Sequence, residues 1–273
     1  MLQLIDTHTH FDVEDFDLDR QQLAEQAYQS GVKALVLIGF IASRFDKLIQ
    51  CNQKLQQLQC VPRSLLAPGL HPFYIEQHLP EHLLQLERIL ITQPCVAIGE
   101  IGLDSFIKAH KQQNIRQLQA QYFSAQLELA TIYQKPVLLH IRKSHAETIQ
   151  LLKQHQFKQG GIAHAFSGGV EEAKALIKLG FKIGITGQIT NPNAKRLHEV
   201  VGQITLDDLV LETDCPDMTP LCCQNSTEHR TRNTPGNLPY VLAGLAEITQ
   251  QDQYLLAQKL WWNSLEALHL QAL

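Results

Sequence analysis

Eight short apolar runs, each followed by a stretch of helical pattern, constrain this 273-residue chain more than anything else in it. The runs fall at residues 2–5, 32–39, 65–71, 95–104, 136–142, 161–166, 181–187 and 209–214. Near-continuous apolar runs mark strands covered on both faces, as in a parallel sheet with helical crossovers. Eight such repeats can close on themselves, so the expected fold is α/β, a TIM (β/α)8 barrel. The runner-up is an open doubly wound sheet, whose Gly-rich loop after the first strand is missing here. The intervening helices are expected near 17–30, 43–59, 80–92, 112–134, 144–156 and 170–179. A helical or irregular stretch follows at 193–202, and a long loop from 215 to 236 precedes two closing helices at 237–249 and 252–268. No low-complexity linker or break in composition divides residues 1–273, which read as a single domain. The hydrophobic fraction of 44% is ample for one large core.

A formal net charge of -4 argues against a protein coated in basic surface for non-specific nucleic-acid binding. It leaves room for a nucleic-acid substrate held by a local basic patch and metal ions. No basic leader precedes an apolar segment, and no run approaches the roughly 18 apolar residues of a membrane helix. The expectation is a cytoplasmic monomer with no membrane partner. The six cysteines, at 51, 60, 95, 215, 222 and 223, make no Cys-x-x-Cys pair and read as free thiols.

Polar residues recur where the apolar runs end. His8 and His10 close the first, His71 the third, Glu100 lies near the end of the fourth, and His140 and His164 lie in the fifth and sixth. Asp214 closes the eighth. Alternation along a strand points His8 and His10 the same way, with Asp6 and Thr7 available as supports. In a closed barrel all of these ends meet on one face. A lone histidine of this kind is more often a satisfied core residue, but seven such groups at matching positions favour metal. Two divalent ions fit the inventory, and mixed nitrogen and oxygen donors suit zinc, manganese or, more weakly, magnesium. One set is His8, His10, Asp214 and Glu100; the other is Glu100, His140 and His164, with Glu100 bridging. Asp214 is the candidate to orient the attacking water and take its proton.

The stretches Ile5-Asp6-Thr7-His8-Thr9-His10, Gly69-Leu70-His71-Pro72 and Gly99-Glu100-Ile101-Gly102-Leu103-Asp104 resemble the TatD family of metal-dependent deoxyribonucleases. So do His140-Ile141-Arg142, His164-Ala165-Phe166-Ser167-Gly168, Leu211-Glu212-Thr213-Asp214 and Arg232-Asn233-Thr234-Pro235. The resemblance implies a TIM barrel of the amidohydrolase-like superfamily, one or two divalent ions, and phosphodiester hydrolysis, often as a 3′-to-5′ exonuclease. By position it implies the ligands His8, His10, Glu100, His140, His164 and Asp214, with His71 as the pocket histidine, and Asp214, Glu100 and His71 as catalytic groups. The partner is then DNA or an oligonucleotide. Arg142 and Arg232 are expected to bind its phosphates, with Lys143 and Arg230 beside them, and Phe11, Phe73, Tyr74 and Phe166 are candidates to stack a base. Two alternatives stay open: an amidohydrolase-type amidase or lactonase acting on a small molecule, and a metal-binding protein without turnover.

Overall fold

A computed structural model describes residues 2–226 and 229–273. Its strands are β1 (Leu4–Thr9), β2 (Val32–Ile38), β3 (Arg63–Ala67) and β4 (Ile98–Asp104). They continue with β5 (Val137–Arg142), β6 (Gly161–Ala163), β7 (Phe181–Ile185) and β8 (Leu209–Leu211). Between them run α1 (Arg20–Gln29), α2 (Phe45–Gln56), α3 (Pro80–Thr92), α4 (Gln113–Ile132), α5 (His145–Gln154), α6 (Val170–Ile177) and α7 (Lys195–Gln203). Two helices close the chain, α8 (Leu238–Thr249) and α9 (Gln253–Ala267).

Every strand pairing is parallel and follows chain order, β1-β2-β3 and then β4-β5-β6-β7-β8. Between β3 and β4 the ladder shrinks to one bridge, Leu66 with Cys95, where the Val96 N–H donates to the Leu66 carbonyl at 2.8 Å. At the other seam the Asp214 N–H donates to the His8 carbonyl and the His10 N–H to the Cys215 carbonyl, both at 2.9 Å. The first strand thus lies beside the last, and the arrangement is TIM-barrel-like.

The alternation of a strand sorts the core into two layers. Leu35 and Leu37 of β2 face out and join the large cluster under the helices. Ala34, Val36 and Ile38 face in, with Ile5, Leu138 and Val210, and fill the floor of the barrel, where Leu265 and Leu268 of the α9 segment close it. Above that apolar floor the strands carry buried polar residues, among them Asp6, His8 and Glu100. β6 and β8 keep only the first half of their apolar runs. Ala165 at φ 41° and Asp214 at φ 54° leave the extended region, so β6 and β8 stop early and His164 and Asp214 sit on the turns beyond them. Gly102 serves the same face of the barrel. At its φ of 140°, a Cβ would lie 2.1 Å from the His140 carbonyl, so only glycine lets β4 and β5 approach there.

Candidate metal centre

Glu100 is the hub of the site. Its carboxylate is 2% exposed, and five imidazoles converge on its two oxygens. His8 Nε2 and His10 Nε2 approach Oε2 at 3.2 and 3.6 Å. His140 Nδ1, His71 Nε2 and His164 Nε2 approach Oε1 at 2.8, 3.4 and 3.9 Å. Asp214 Oδ1 completes the ring, 3.5 Å from His164 Nε2, 3.8 Å from His10 Nε2 and 3.9 Å from His8 Nε2. The six expected ligands and His71 therefore meet on one face of the barrel.

Their grouping differs in one respect from the expected two sets. His164 falls with His8 and Asp214, its ring stacked on that of His8 at 3.4 Å between centroids. His71 takes its place beside Glu100 and His140. The tautomer of His71 argues against a ligand role there. The Phe73 N–H donates to its Nδ1 at 2.9 Å, so in the neutral ring the proton sits on Nε2, facing Glu100. His78 braces the same turn through Nε2 and the His71 carbonyl, 2.9 Å apart.

The donor set fits a metal. Both ring nitrogens of His8, and Nδ1 of His10, are buried without a hydrogen-bond partner. Buried polar atoms are seldom left so unless something else satisfies them. Three triads of ligand atoms, each within 4.8 Å of one another, are available: His8, His164 and Asp214; His8, His10 and Glu100; His71, Glu100 and His140. The two histidines on β5 and after β6 are each backed by a carboxylate. Asp104 Oδ2 lies 2.9 Å from His140 Nε2, and Glu212 Oε1 lies 2.9 Å from His164 Nδ1. For His140, hydrogen-bonded to Asp104, this is the carboxylate–histidine arrangement that fixes ring orientation at metal sites, while Glu212 faces His164 as a close charge.

Residues 5–269 match the TatD related DNase family. The chain belongs to the TatD family. It is 35% identical over 264 residues to an uncharacterized metal-dependent hydrolase, YjjV, of Escherichia coli (strain K12), covering 96% of each chain. It is 33% identical over 246 residues to a 3′-5′ ssDNA/RNA exonuclease TatD of Edwardsiella piscicida, covering 89% of this chain and 90% of that one. The crystal structure of the YjjV TatD homolog from Escherichia coli superposes with a TM-score of 0.87 at 33% identity, covering 97% of each chain. The chain is thus a metal-dependent hydrolase of the TatD type.

Charge in this TatD centre is strongly redistributed. Burial opposes ionisation of Glu100, yet the imidazoles of His71, His8 and His164 hold its carboxyl well below the usual range. Asp214 is likewise held low against burial by His164, His8 and His10. Burial pushes His71 down to about 4. Burial also opposes a charged His140, but its bonds to Asp104 and Glu100 lift it to about 9. Asp6, fully buried, is raised by that burial to about 7.

The supporting residues extend the reading of the sequence. Asp6 accepts from the Thr213 N–H at 2.8 Å and from the Thr213 hydroxyl at 2.5 Å, fixing the turn that carries Asp214. Thr7 donates its hydroxyl to the Leu211 carbonyl at 3.0 Å. Asp104 and Glu212 lay inside recognised motifs without an assigned role. Gln119 and Gln126 of α4 were not singled out at all. Gln119 bonds both the N–H and the carbonyl of Asp104, at 3.0 and 3.1 Å, and Gln126 bonds both those of Leu70, at 2.8 and 3.1 Å. Two glutamines seven residues apart on the buried stripe of a helix were the available signal.

The rim divides. Arg142 lines the cleft of about 810 Å³ above the metal centre. Arg232 is not brought there with it: its guanidinium holds Asp19 at 2.5 and 3.1 Å and the Asp15 carbonyl. Arg230 pairs with Asp217 at 2.8 Å. Phe11 is fully buried against Phe16, which removes it as a base platform, and Phe166 is 5% exposed, whereas Phe73 is 45% exposed. The segment after β7, with Gln188 and the first two residues of α7, Lys195 and Arg196, also lines the cleft, and no feature of the sequence points to it.

Proposed function

We propose that this TatD-family chain is a metal-dependent phosphodiesterase that removes nucleotides from nucleic-acid ends, DNA foremost, in the 3′-to-5′ direction. On this reading two divalent ions, zinc, manganese or magnesium, would be held here, with Glu100 belonging to both ligand sets. The observation that carries it is the convergence of five imidazoles and Asp214 on Glu100, with both ring nitrogens of His8 buried and without a hydrogen bond. The two oxygens of Glu100 face different histidines, as a bridging carboxylate would. The Edwardsiella relative named as a 3′-5′ ssDNA/RNA exonuclease supports the nucleic-acid substrate.

Ions held by His8, His10, Glu100, His140, His164 and Asp214 would supply Lewis acidity to the phosphate and to the attacking water. The protein does the rest. Asp214, ionised and fixed at its backbone by the His8 carbonyl, orients the water and accepts its proton. His71 presents Nε2–H as a neutral donor to a phosphate oxygen, since its Nδ1 is occupied by the Phe73 N–H. Asp104 and Glu212 keep His140 and His164 in orientation.

The test is protein reconstituted with each metal and offered 5′- and 3′-labelled single strands, a duplex, an RNA, and a panel of amides and lactones. Metal-dependent release of mononucleotides from the 3′ end is expected. Turnover of an amide or lactone with every phosphodiester left intact would overturn the reading.

A further inference from the structure

Cations around the cleft fall into two classes. On the side of β1 and β8 they are spent on carboxylates: Arg44 on Glu14 at 2.7 Å, Arg230 on Asp217 at 2.8 Å and Arg232 on Asp19 at 2.5 Å. On the side of β5 and β7 lie Arg142, Lys143, Lys195 and Arg196, all exposed. Among the described residues no carboxylate comes within ion-pairing distance of any of these four. From the metal cleft a second recess of about 560 Å³ opens on this side, and the two share Arg142, Ser167 and Arg196. The recess is lined by Phe106, 42% exposed, with the Arg142 guanidinium 3.6 Å and the Lys143 ammonium 4.9 Å from its ring centroid. His145 also lines it, 7% exposed, its Nε2 without a hydrogen-bond partner.

The platform is tied to the metal centre. The Phe106 N–H donates to Asp104 Oδ1 at 2.8 Å, while the other oxygen of Asp104 faces His140 at 2.9 Å. The Ser105 N–H donates to the Arg142 carbonyl at 2.9 Å, pinning the loops after β4 and β5 together. We propose that Phe106, Arg142, Lys143 and Arg196 form a track for the single strand that leads away from the scissile phosphate, with Phe106 carrying a base and the cations its phosphates. The unpaired charges match a polyanion, and the part of the Phe106 ring left exposed beside the Arg142 guanidinium serves an unstacked base, which a duplex does not offer. This proposal rests on the metal cleft being a phosphodiesterase centre.

Binding in EDTA separates the two claims. Fluorescence anisotropy is measured with labelled oligothymidylates and oligouridylates of two, five and ten nucleotides, and with a ten-base-pair duplex. Affinity is expected to rise with strand length and to exceed that for the duplex. Phe106→Ala and Arg196→Ala each weaken the ten-mer by roughly 10-fold, and the dinucleotide by less. Arg142→Ala and Arg196→Ala each lower the slope of log affinity against log salt by about 0.7, and Arg196→Lys restores it. Lys158→Ala, exposed on the loop before β6 at the far end of the barrel, changes nothing. Equal losses for dinucleotide and ten-mer, an unchanged salt slope, or preference for the duplex would overturn the track. Length-dependent binding by a protein that cleaves no phosphodiester when metal-loaded would keep the track and discard the phosphodiesterase reading.

Discussion

Asp214 illustrates how much one residue's surroundings decide. Its carboxyl is held low by His164, His8 and His10, so it stays ionised at neutral pH, and in the proposed reaction it acts by orientation as much as by basicity. Asp214→Asn keeps the shape and loses the charge. We expect kcat to fall by roughly 10²-fold or more with the fold intact, because a positioned acid–base group is gone. Turnover and metal content are read on the same preparation, and near wild-type turnover with full metal would remove Asp214 from the proton path. Asp104 and Glu212 belong to a different test, since each touches a histidine and not the reacting atoms. Asp104→Asn and Glu212→Gln are expected to weaken metal affinity by about 10–100-fold. Chelator competition measures this directly. A loss of activity at unchanged affinity would show instead that these carboxylates act on the substrate.

At the scale of elements, α4 does more than cover the sheet. Gln126 bonds both backbone polar groups of Leu70, just ahead of His71. Gln126→Leu would strand a buried N–H and carbonyl there, costing about 1–3 kcal/mol. The urea midpoint should drop accordingly, and an unchanged midpoint would mean that water replaces the amide. The same helix shows where sequence reading stops. The apolar runs and their punctuation sufficed for eight strands and for the span of α3, residues 80–92, where Pro80 begins the helix at a position that needs no N–H. They also sufficed to bring His8, His10, Glu100, His140, His164 and Asp214 to one end. They did not reveal that β6 and β8 end early, because the left-handed turns at Ala165 and Asp214 are imposed by partners across the barrel: the Ala165 N–H donates to Glu212 at 2.6 Å, and the Asp214 N–H to the His8 carbonyl. Nor could spacing place His164 beside His8 or turn Arg232 toward Asp19. Those are choices among nearby partners, visible only once the loops are in place.

For the whole molecule, the thiols give a measure of how tightly the structure excludes water. Burial pushes Cys51 and Cys95 up to about 12 and also raises Cys215 well above the usual thiol range, while Cys60 and Cys222 are exposed. At pH 8 a thiol reagent should modify Cys60 and Cys222 quickly and the three buried cysteines only on unfolding. Because the fold favours their protonated form, stability is level below the unfolded thiol pKa of roughly 8.5 and falls as pH rises from there toward 12. Urea midpoints at pH 8 and pH 10 check the sign, and a higher midpoint at pH 10 would contradict it. The seam between first and last strands has a consequence in time. Asp6 grips Thr213 across 207 residues of chain, and His8 faces Asp214 over a similar separation. Nearly the whole loop must close before either contact exists, and closing long loops comes late in folding. A chain emerging from the ribosome therefore holds only part of the proposed ligand set, and on that reading full metal capture waits for the eighth strand to dock. In refolding followed with cobalt, the ligand-field absorbance should rise with the final native phase and not with the early collapse. The metal centre is in that sense a record of completed folding: a chain stalled short of β8 cannot assemble the activity.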